Sequence, residues 1–481
     1  MRKLTHPRRI VFRRGLVRAA ACAGLALSTL AQSPAQTSPR LSEQTRGQVD
    51  QIAKQVLEST GVPSASVAVV KDGALVYAQA YGNARLDPPT PATPEMRYKI
   101  GSISKQFTAT AILMLAEQGK LSLDDPVSRF VPDLTRAKEV TIRQLLSHTS
   151  GYQDYWPQDY VPPFMLTTIT ADEILTRWAR RPLDFDPGSK WEYSNTNYVI
   201  AGVIVEKASG MPLLRFLSSH IFEPLGMQSV VNIDQDHLAD TDPTGYMRYA
   251  LGPPRVAPRE GKGWLFAAGE LAMPVTDLAK WDIAMMNQRL LNPASYQEMQ
   301  KDVLLKNGTA TGYGLGITIH NQSGRRILEH SGEVSGFTAE NVVFPEDRAA
   351  VIVLTNQDAA NAGGQIARKI APLLFAGNTA VVAEKVERAR NILEQLQHGK
   401  IDRSLFTDNA NSYFGEQALQ DFASSLVSLG TAQDFQQTAE QGRGGMTYRS
   451  YRSKFAEKVL SISTYEMPDG KFEQYLVSVG N

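Results

Sequence analysis

The stretch 98-YKIGSISKQFTATAILMLAEQG-119 sets Ser102 and Lys105 three residues apart at the mouth of an apolar, helix-like segment. Side chains three apart share one helix face, so these two can touch. Phe107, Ala111, Ile112, Leu113 and Leu115 cover nearly every side of the segment, which predicts a buried helix ending near Gly119. Burial bears on the pair directly: a desolvated lysine holds its proton less tightly, and a serine hydroxyl is a poor nucleophile until a base takes its proton. Ser104 has no such partner, because the residue three beyond it is Phe107.

Upstream, Val49, Ile52, Ala53, Val56 and Leu57 follow the three-four spacing of an amphipathic helix that Gly61 and Pro63 stop. The run "SASVAVVKDGALVYAQAYG" predicts a hairpin turning at Lys71-Asp72-Gly73. Between about Thr141 and Ala284, helix-like pieces alternate with Pro/Gly-containing loops. Strand signals return at "GYGLGITIH", "RRILEHSGEVSGF", "AENVVF" and "AAVIVLTN". One hairpin early and several strands late predict a single antiparallel sheet with helices inserted between its parts. After "IARKIAPLLFAGNTA", an amphipathic helix through Val386, Ala389, Leu393 and Leu396 leads into polar, helix-compatible sequence to about Gln441. Three strand-like runs, "MTYRSYRSKF", "KVLSISTYEM" and "KFEQYLVSV", then predict a small α+β accessory domain over 381–481.

The first eighteen residues hold seven arginines and lysines and no acid, and "AAACAGLALSTLA" with small residues to Ala35 follows. This pattern predicts a secretory signal over 1–35, compatible with either the general or the twin-arginine route, and a periplasmic or secreted protein. Cys22, the only cysteine, lies inside the signal, so no disulfide or thiolate metal site is expected beyond it. Without the seven basic residues the chain has 43 Lys+Arg against 49 Asp+Glu, a net charge of −6 that offers no footprint for nucleic acid. No later stretch is apolar enough for a membrane span. The seven histidines show no metal-ligand spacing, so neither a metal nor any other cofactor is expected.

Two further strings join the Ser102 segment. "FDPGSKWEYSNTNYVIAGVIVE" contains Tyr193-Ser194-Asn195, and "EHSGEVSGF" contains His330-Ser331-Gly332. In order and coarse spacing these three motifs resemble the penicillin-recognising serine hydrolases, and the chain resembles the class C β-lactamase family from about Ser64 to Leu374. The strings "LLSHTSGY", "KLSLDDPV", "AAGELAMPVTDLAKW" and "GYGLGI" belong to the same resemblance. It implies an α+β fold over 41–376: a β-lactamase/transpeptidase-like antiparallel sheet flanked by helices, with a helical subdomain. It also implies roles for individual residues. Ser102 is the acylated nucleophile, Lys105 its proton-transfer partner, and Tyr193 a general base acidified by Lys105. Asn195 holds the substrate amide, His330 reaches toward the site, and Gly332 leaves room for substrate backbone. The N–H groups of Ser102 and Glu333 form the oxyanion hole, where each donor can supply a few kcal/mol.

Two departures from the family stand out. Many β-lactamases carry lysine where this chain has His330, and a largely neutral histidine lacks the charge that attracts an antibiotic carboxylate. Glu333 stands where a small residue is usual, and strand alternation predicts that its side chain points away from the His330 face. Tyr81-Gly82-Asn83 repeats the tyrosine motif but precedes Ser102 and is read as a decoy. His148 is read as a structural histidine bonding backbone in a turn, and Trp281, Met285 and Met286 as helix core. The resemblance implies a serine hydrolase that forms an acyl-enzyme on Ser102 and cleaves a small amide or ester: a D-alanyl peptide, a β-lactam or a carboxylic ester. The alternative is a sensor or binding protein that is acylated without useful turnover. Beyond a small molecule or short peptide as substrate, the C-terminal domain is expected to dock on the catalytic domain, a partner or a second copy of the chain, the last making a homo-oligomer.

Overall fold

Ser42 accepts the Thr45 amide and Gly61 closes the far end in a left-handed conformation (φ 67°), which bounds helix α1 (Glu43–Thr60). Strands β1 (Ser64–Lys71) and β2 (Ala74–Leu86) meet at Asp72 and Gly73, whose φ values of 54° and 73° give the turn that suits a tight hairpin. The structure, a computed structural model, describes residues 40–322, 324–375 and 379–480, so the expected export signal lies outside the described residues. The helical part of the chain follows, with α2 (Ser104–Glu117), α3 (Asn195–Ser209) and α4 (Val275–Met286) as its longest helices before the late strands.

With a short β3 (Pro89–Pro91) and the late strands β4 (Thr318–Gln322), β5 (Arg325–Val334), β6 (Phe337–Phe344) and β7 (Ala349–Thr355), the hairpin completes one antiparallel sheet. Its order is β3-β2-β1-β7-β6-β5-β4. The first and last thirds of the domain therefore pair at its centre, β1 against β7. Both central strands read as near-continuous apolar runs because both of their faces are covered. Val67, Val69, Val351 and Val353 face α1 and α5 (Ala362–Leu374), while Ala68, Val70, Ile352 and Leu354 join the larger core with α2, α3 and α4. The sheet with its helical region is the expected β-lactamase-like architecture.

Two local expectations are corrected. "GYGLGITIH" is a strand only from Thr318; Gly312 and Gly316 have positive φ (70° and 77°), and Gly316 lies so close to Lys105 that a Cβ would sit 3.0 Å from its carbonyl oxygen. That glycine-rich piece is a loop packed on the start of α2. Beyond α6 (Thr379–Gln397) and α7 (Glu416–Leu426), the C-terminal meander has four strands and not three: β8 (Asp434–Arg443), β9 (Met446–Lys454), β10 (Val459–Glu466) and β11 (Phe472–Val479). The missed β8 is a polar edge strand with a register shift between Gln437 and Ala439, which erases the alternation that marks a strand in sequence. These elements share their own core, including Leu393, Leu396, Phe406, Phe414, Tyr451, Ile462, Phe472 and Tyr475. Buried in it, Arg449 pairs with Glu440 at 2.7 Å and Glu466 at 2.5 Å.

Candidate active site

Ser102 sits in a single 3-10 turn, Gly101–Ile103, that runs directly into α2. Gly101 has φ 51°, and a Cβ there would meet the Glu333 amide nitrogen at 2.7 Å; a Cβ on Gly332 would meet the Ile100 carbonyl oxygen at 1.9 Å and the Ser102 nitrogen at 3.1 Å. Two glycines thus let the serine turn and the β5 backbone press against each other. The space at Gly332 is filled by the protein's own Ile100 carbonyl, which corrects the expectation that this glycine makes room for substrate. The same contact brings the Ser102 and Glu333 backbone nitrogens together at the edge of one cavity. The Glu333 side chain leaves by the opposite face and accepts the Ala359 amide at 2.8 Å, as strand alternation predicts.

One turn into α2, Lys105 is fully buried. Its Nζ donates to Ser102 Oγ at 2.9 Å, Asn195 Oδ1 at 2.8 Å and the Ala268 carbonyl at 2.7 Å. Desolvation pulls its pKa down to about 7, opposed by the charge of Asp154. A neutral amine keeps two N–H bonds, to Asn195 and Ala268, and turns its lone pair to the serine hydroxyl. Ser104 is excluded from this chemistry, since its hydroxyl accepts the Leu271 amide at 3.2 Å.

Tyr193 enters from the residues preceding α3. Its hydroxyl faces Ser102, and Lys105 Nζ lies 5.1 Å from its ring centroid. Burial raises the phenol pKa above its ordinary value, outweighing the opposing Ser102 hydrogen bond, so the expected acidification by Lys105 is corrected: the phenol is held protonated. Asn195 also differs from expectation. Its Oδ1 faces Lys105, and its Nδ2 turns to Asp154, 3.4 Å from Oδ1 and 3.2 Å from Oδ2, so the amide links two protein groups.

His330 lies on the cavity wall with Nδ1 2.6 Å from the Ser331 carbonyl and Nε2 2.8 Å from the Tyr313 hydroxyl. The first contact requires an N–H at Nδ1, and the second then has Tyr313 donating to Nε2. Burial pushes its pKa down to about 4, keeping the ring neutral. His148, in a left-handed conformation (φ 57°), lies under Tyr193 with ring centroids 4.2 Å apart. Its Nδ1 accepts the Ser194 amide at 3.2 Å and its carbonyl the Glu192 amide at 3.0 Å, the backbone-bonding role read for it in the sequence. Tyr81 directs its hydroxyl to Asp50, 2.8 Å away, outside the cavity.

The cavity measures about 710 Å³ and is walled by aromatic rings, among them Tyr155, Trp156, Tyr160, Trp191 and Tyr313. Neither lysine nor arginine lines it among the described residues, whereas Asp358 does. The described residues hold no group of three or more His, Cys, Asp or Glu placed for a metal ion, and no described helix is long and apolar enough to cross a membrane. Two participants were missed in the sequence. Asp154 follows "SHTSGY" by two residues, and Tyr313 lies within "GYGLGI"; both strings carry the family resemblance, yet neither residue belongs to its three short motifs.

Known proteins are similar to this chain in sequence and fold. The chain is 27% identical over 415 residues to Penicillin-binding protein 4* of Bacillus subtilis (strain 168), covering 82% of this chain and 88% of that protein. The structure of D-amino acid amidase from Ochrobactrum anthropi SV3 with L-phenylalanine amide superimposes with a TM-score of 0.62 at 26% identity, over 70% of this chain and 99% of the amidase. The octameric penicillin-binding protein homologue of Pyrococcus abyssi, at 23% identity, shares the fold over 90% of this chain and 99% of its own, with a TM-score of 0.60. A family model described as Beta-lactamase matches residues 49–373, which span the sheet, the helical region and every residue gathered round Ser102, so the chain belongs to the beta-lactamase family of serine hydrolases.

Proposed function

We propose that the protein is an exported serine hydrolase that forms an acyl-enzyme on Ser102 and acts on uncharged carboxylic esters or amides. The observation that carries the reading is the 2.9 Å contact between Ser102 and a fully buried Lys105 whose proton affinity lies near neutrality. Neutral Lys105 takes the proton as Ser102 Oγ bonds to the acyl carbon, and the electron pair moves onto the carbonyl oxygen. The N–H groups of Ser102 and Glu333 meet that oxygen. As the bond to the leaving group breaks, Tyr193, protonated and facing Ser102, gives the departing atom its proton and regains one from Lys105. Water then adds to the acyl carbon, its proton passing to neutral Lys105. When the acid departs, Lys105 returns that proton to Ser102 Oγ. Tyr193 acts as the acid in this sequence.

The substrate class follows from charge. A carboxylate that leaves water for a cavity walled by aromatic rings loses several kcal/mol of hydration unless a cation meets it. Here the third motif offers neutral His330, and no lysine or arginine among the described residues lines the cavity. Uncharged esters and amides fit better than a β-lactam or a peptide with a free C-terminal carboxylate. The D-amino acid amidase likeness supports amide cleavage, and the basic, then apolar, N-terminal sequence supports export. The likeness to an octameric homologue over 90% of the chain supports self-assembly, for which light scattering is the check. A panel of p-nitrophenyl esters, D-amino acid amides and a chromogenic cephalosporin tests the substrate reading. It predicts sustained turnover of neutral esters or amides, at least about tenfold above the cephalosporin in kcat/KM. A single stoichiometric burst with every substrate supports an acylation-only sensor instead.

A further inference from the structure

Asp154 lies in the loop between His148 and the cavity rim, and nothing in the three short motifs points to it. Its Oδ1 accepts the Asn195 amide N–H at 3.0 Å and the Trp156 amide N–H at 3.1 Å; the Asn195 side-chain Nδ2 faces both carboxylate oxygens. An ionised carboxylate only accepts hydrogen bonds, so it settles which way the Asn195 amide turns: NH2 toward Asp154, oxygen toward Lys105. With the amide flipped, Lys105 would face donors and lose one of its three partners.

The groups round Lys105 come from every neighbouring element. Ser102 precedes it on its own turn, and Tyr193 and Tyr198 place their rings 5.1 and 5.5 Å from its Nζ. Ala268 supplies a carbonyl, while His148 and His330 are neutral and feel the lysine as a charge that opposes their protonation. Asp154 is the acid whose charge offsets the burial of Lys105, and burial in turn pushes its own pKa up to about 6. On its far side Asp154 borders a 310 Å³ cleft that also exposes Asp184 and Glu192.

We propose that Asp154 is a positioning residue for Lys105, its carboxylate aiming the Asn195 carbonyl at the lysine and placing a facing negative charge within the site. This rests on the reading of Ser102 and Lys105 given above. Because a nearby anion raises a lysine's proton affinity by about one pH unit or more, and one amide separates Asp154 from Lys105, Asp154 sets the pH at which the lysine becomes a base. The two groups titrate as a coupled pair.

The test is the rate at which a fluorophosphonate modifies Ser102 between pH 4 and 9, in the wild-type chain and in Asp154→Asn, with folding checked by circular dichroism. The asparagine keeps the shape and removes the charge. We expect the acid limb of the profile, near pH 7 in the wild type, to move down by about one unit, with a plateau several-fold lower because the Asn195 amide is free to flip. An acid limb that stays in place, or moves up, overturns the proposal; a purely structural role lowers the plateau and leaves the limb unmoved. If the variant does not fold, the wild-type protein decides. The Lys105 side-chain NMR signal, assigned through Lys105→Arg, must then titrate in two steps, one of them near pH 6, and a single step overturns the proposal. Absence of any Ser102 modification in the wild type would instead count against the nucleophile reading, which keeps the two failures apart.

Discussion

Gly332→Ala tests the close backbone contact between β5 and the serine turn. The new methyl group would lie 1.9 Å from the Ile100 carbonyl oxygen, 2.8 Å from its carbon and 3.1 Å from the Ser102 nitrogen. All three are backbone atoms, so no side chain can rotate away. Restoring an ordinary separation needs β5 and the turn to part by about 1 Å, an overpacking that costs about 1–3 kcal/mol. The displaced atoms include Ser102 N, and Glu333 N is the next amide along the moving strand. A misplacement of that size can lower the rate about 100-fold. The assay is kcat/KM for p-nitrophenyl acetate together with urea unfolding. Gly415→Ala is the control: a Cβ there meets nothing within 4 Å and its φ is −68°. An alanine at 332 with activity within threefold of wild type and unchanged stability would refute the packing argument.

Tyr193→Phe keeps the ring and removes the hydroxyl, so kcat should fall about 100-fold or more while unfolding is unchanged; His148→Ala should lose about 2 kcal/mol of stability, because it leaves the Ser194 amide without its acceptor. Comparing the two in kinetics and urea unfolding checks which residue handles the proton, and a stable but inactive His148→Ala would reverse the assignment. Burial pushes Asp282, bonded to Asn341 at 2.9 Å, up to about 8. Its folded pKa exceeds the unfolded value of about 3.9, so its contribution to stability is complete below about pH 4 and is lost as pH rises through 8. Urea midpoints at pH 5 and 8 should show Asp282→Asn losing less stability over that interval than wild type, by on the order of a few kcal/mol; equal losses would contradict a protonated Asp282.

The parts of this molecule that were legible in its sequence are those where one physical cause dominates. The α1 stripe follows from burial of one helix face and the Asp72-Gly73 turn from the positive φ that glycine takes freely, and the structure has both, with strands β1 and β7, where the pattern put them. Ser102 and Lys105 were legible because one helical turn decides their contact. Tyr193, Asn195 and His330 were named through resemblance, and the structure brings them to the same cavity. Their electrostatics were not legible. Whether Tyr193 is acidified depends on burial outweighing nearby charge, and whether Asn195 faces substrate depends on Asp154, 41 residues away in sequence. The reason for Gly332 was hidden because the backbone that fills its space belongs to Ile100, more than 200 residues upstream. Strand β8 escaped because an edge strand buries little and this one carries a register shift.

Everything in the proposed chemistry depends on acylation of Ser102. The decisive experiment is intact-mass spectrometry after treatment with a fluorophosphonate, followed by peptide mapping, in the wild-type chain and in Ser102→Ala. We expect one adduct on the wild-type chain, mapped to Ser102, and none on a Ser102→Ala protein whose circular dichroism is unchanged. An adduct that persists in Ser102→Ala, or that maps to Ser104, would contradict it.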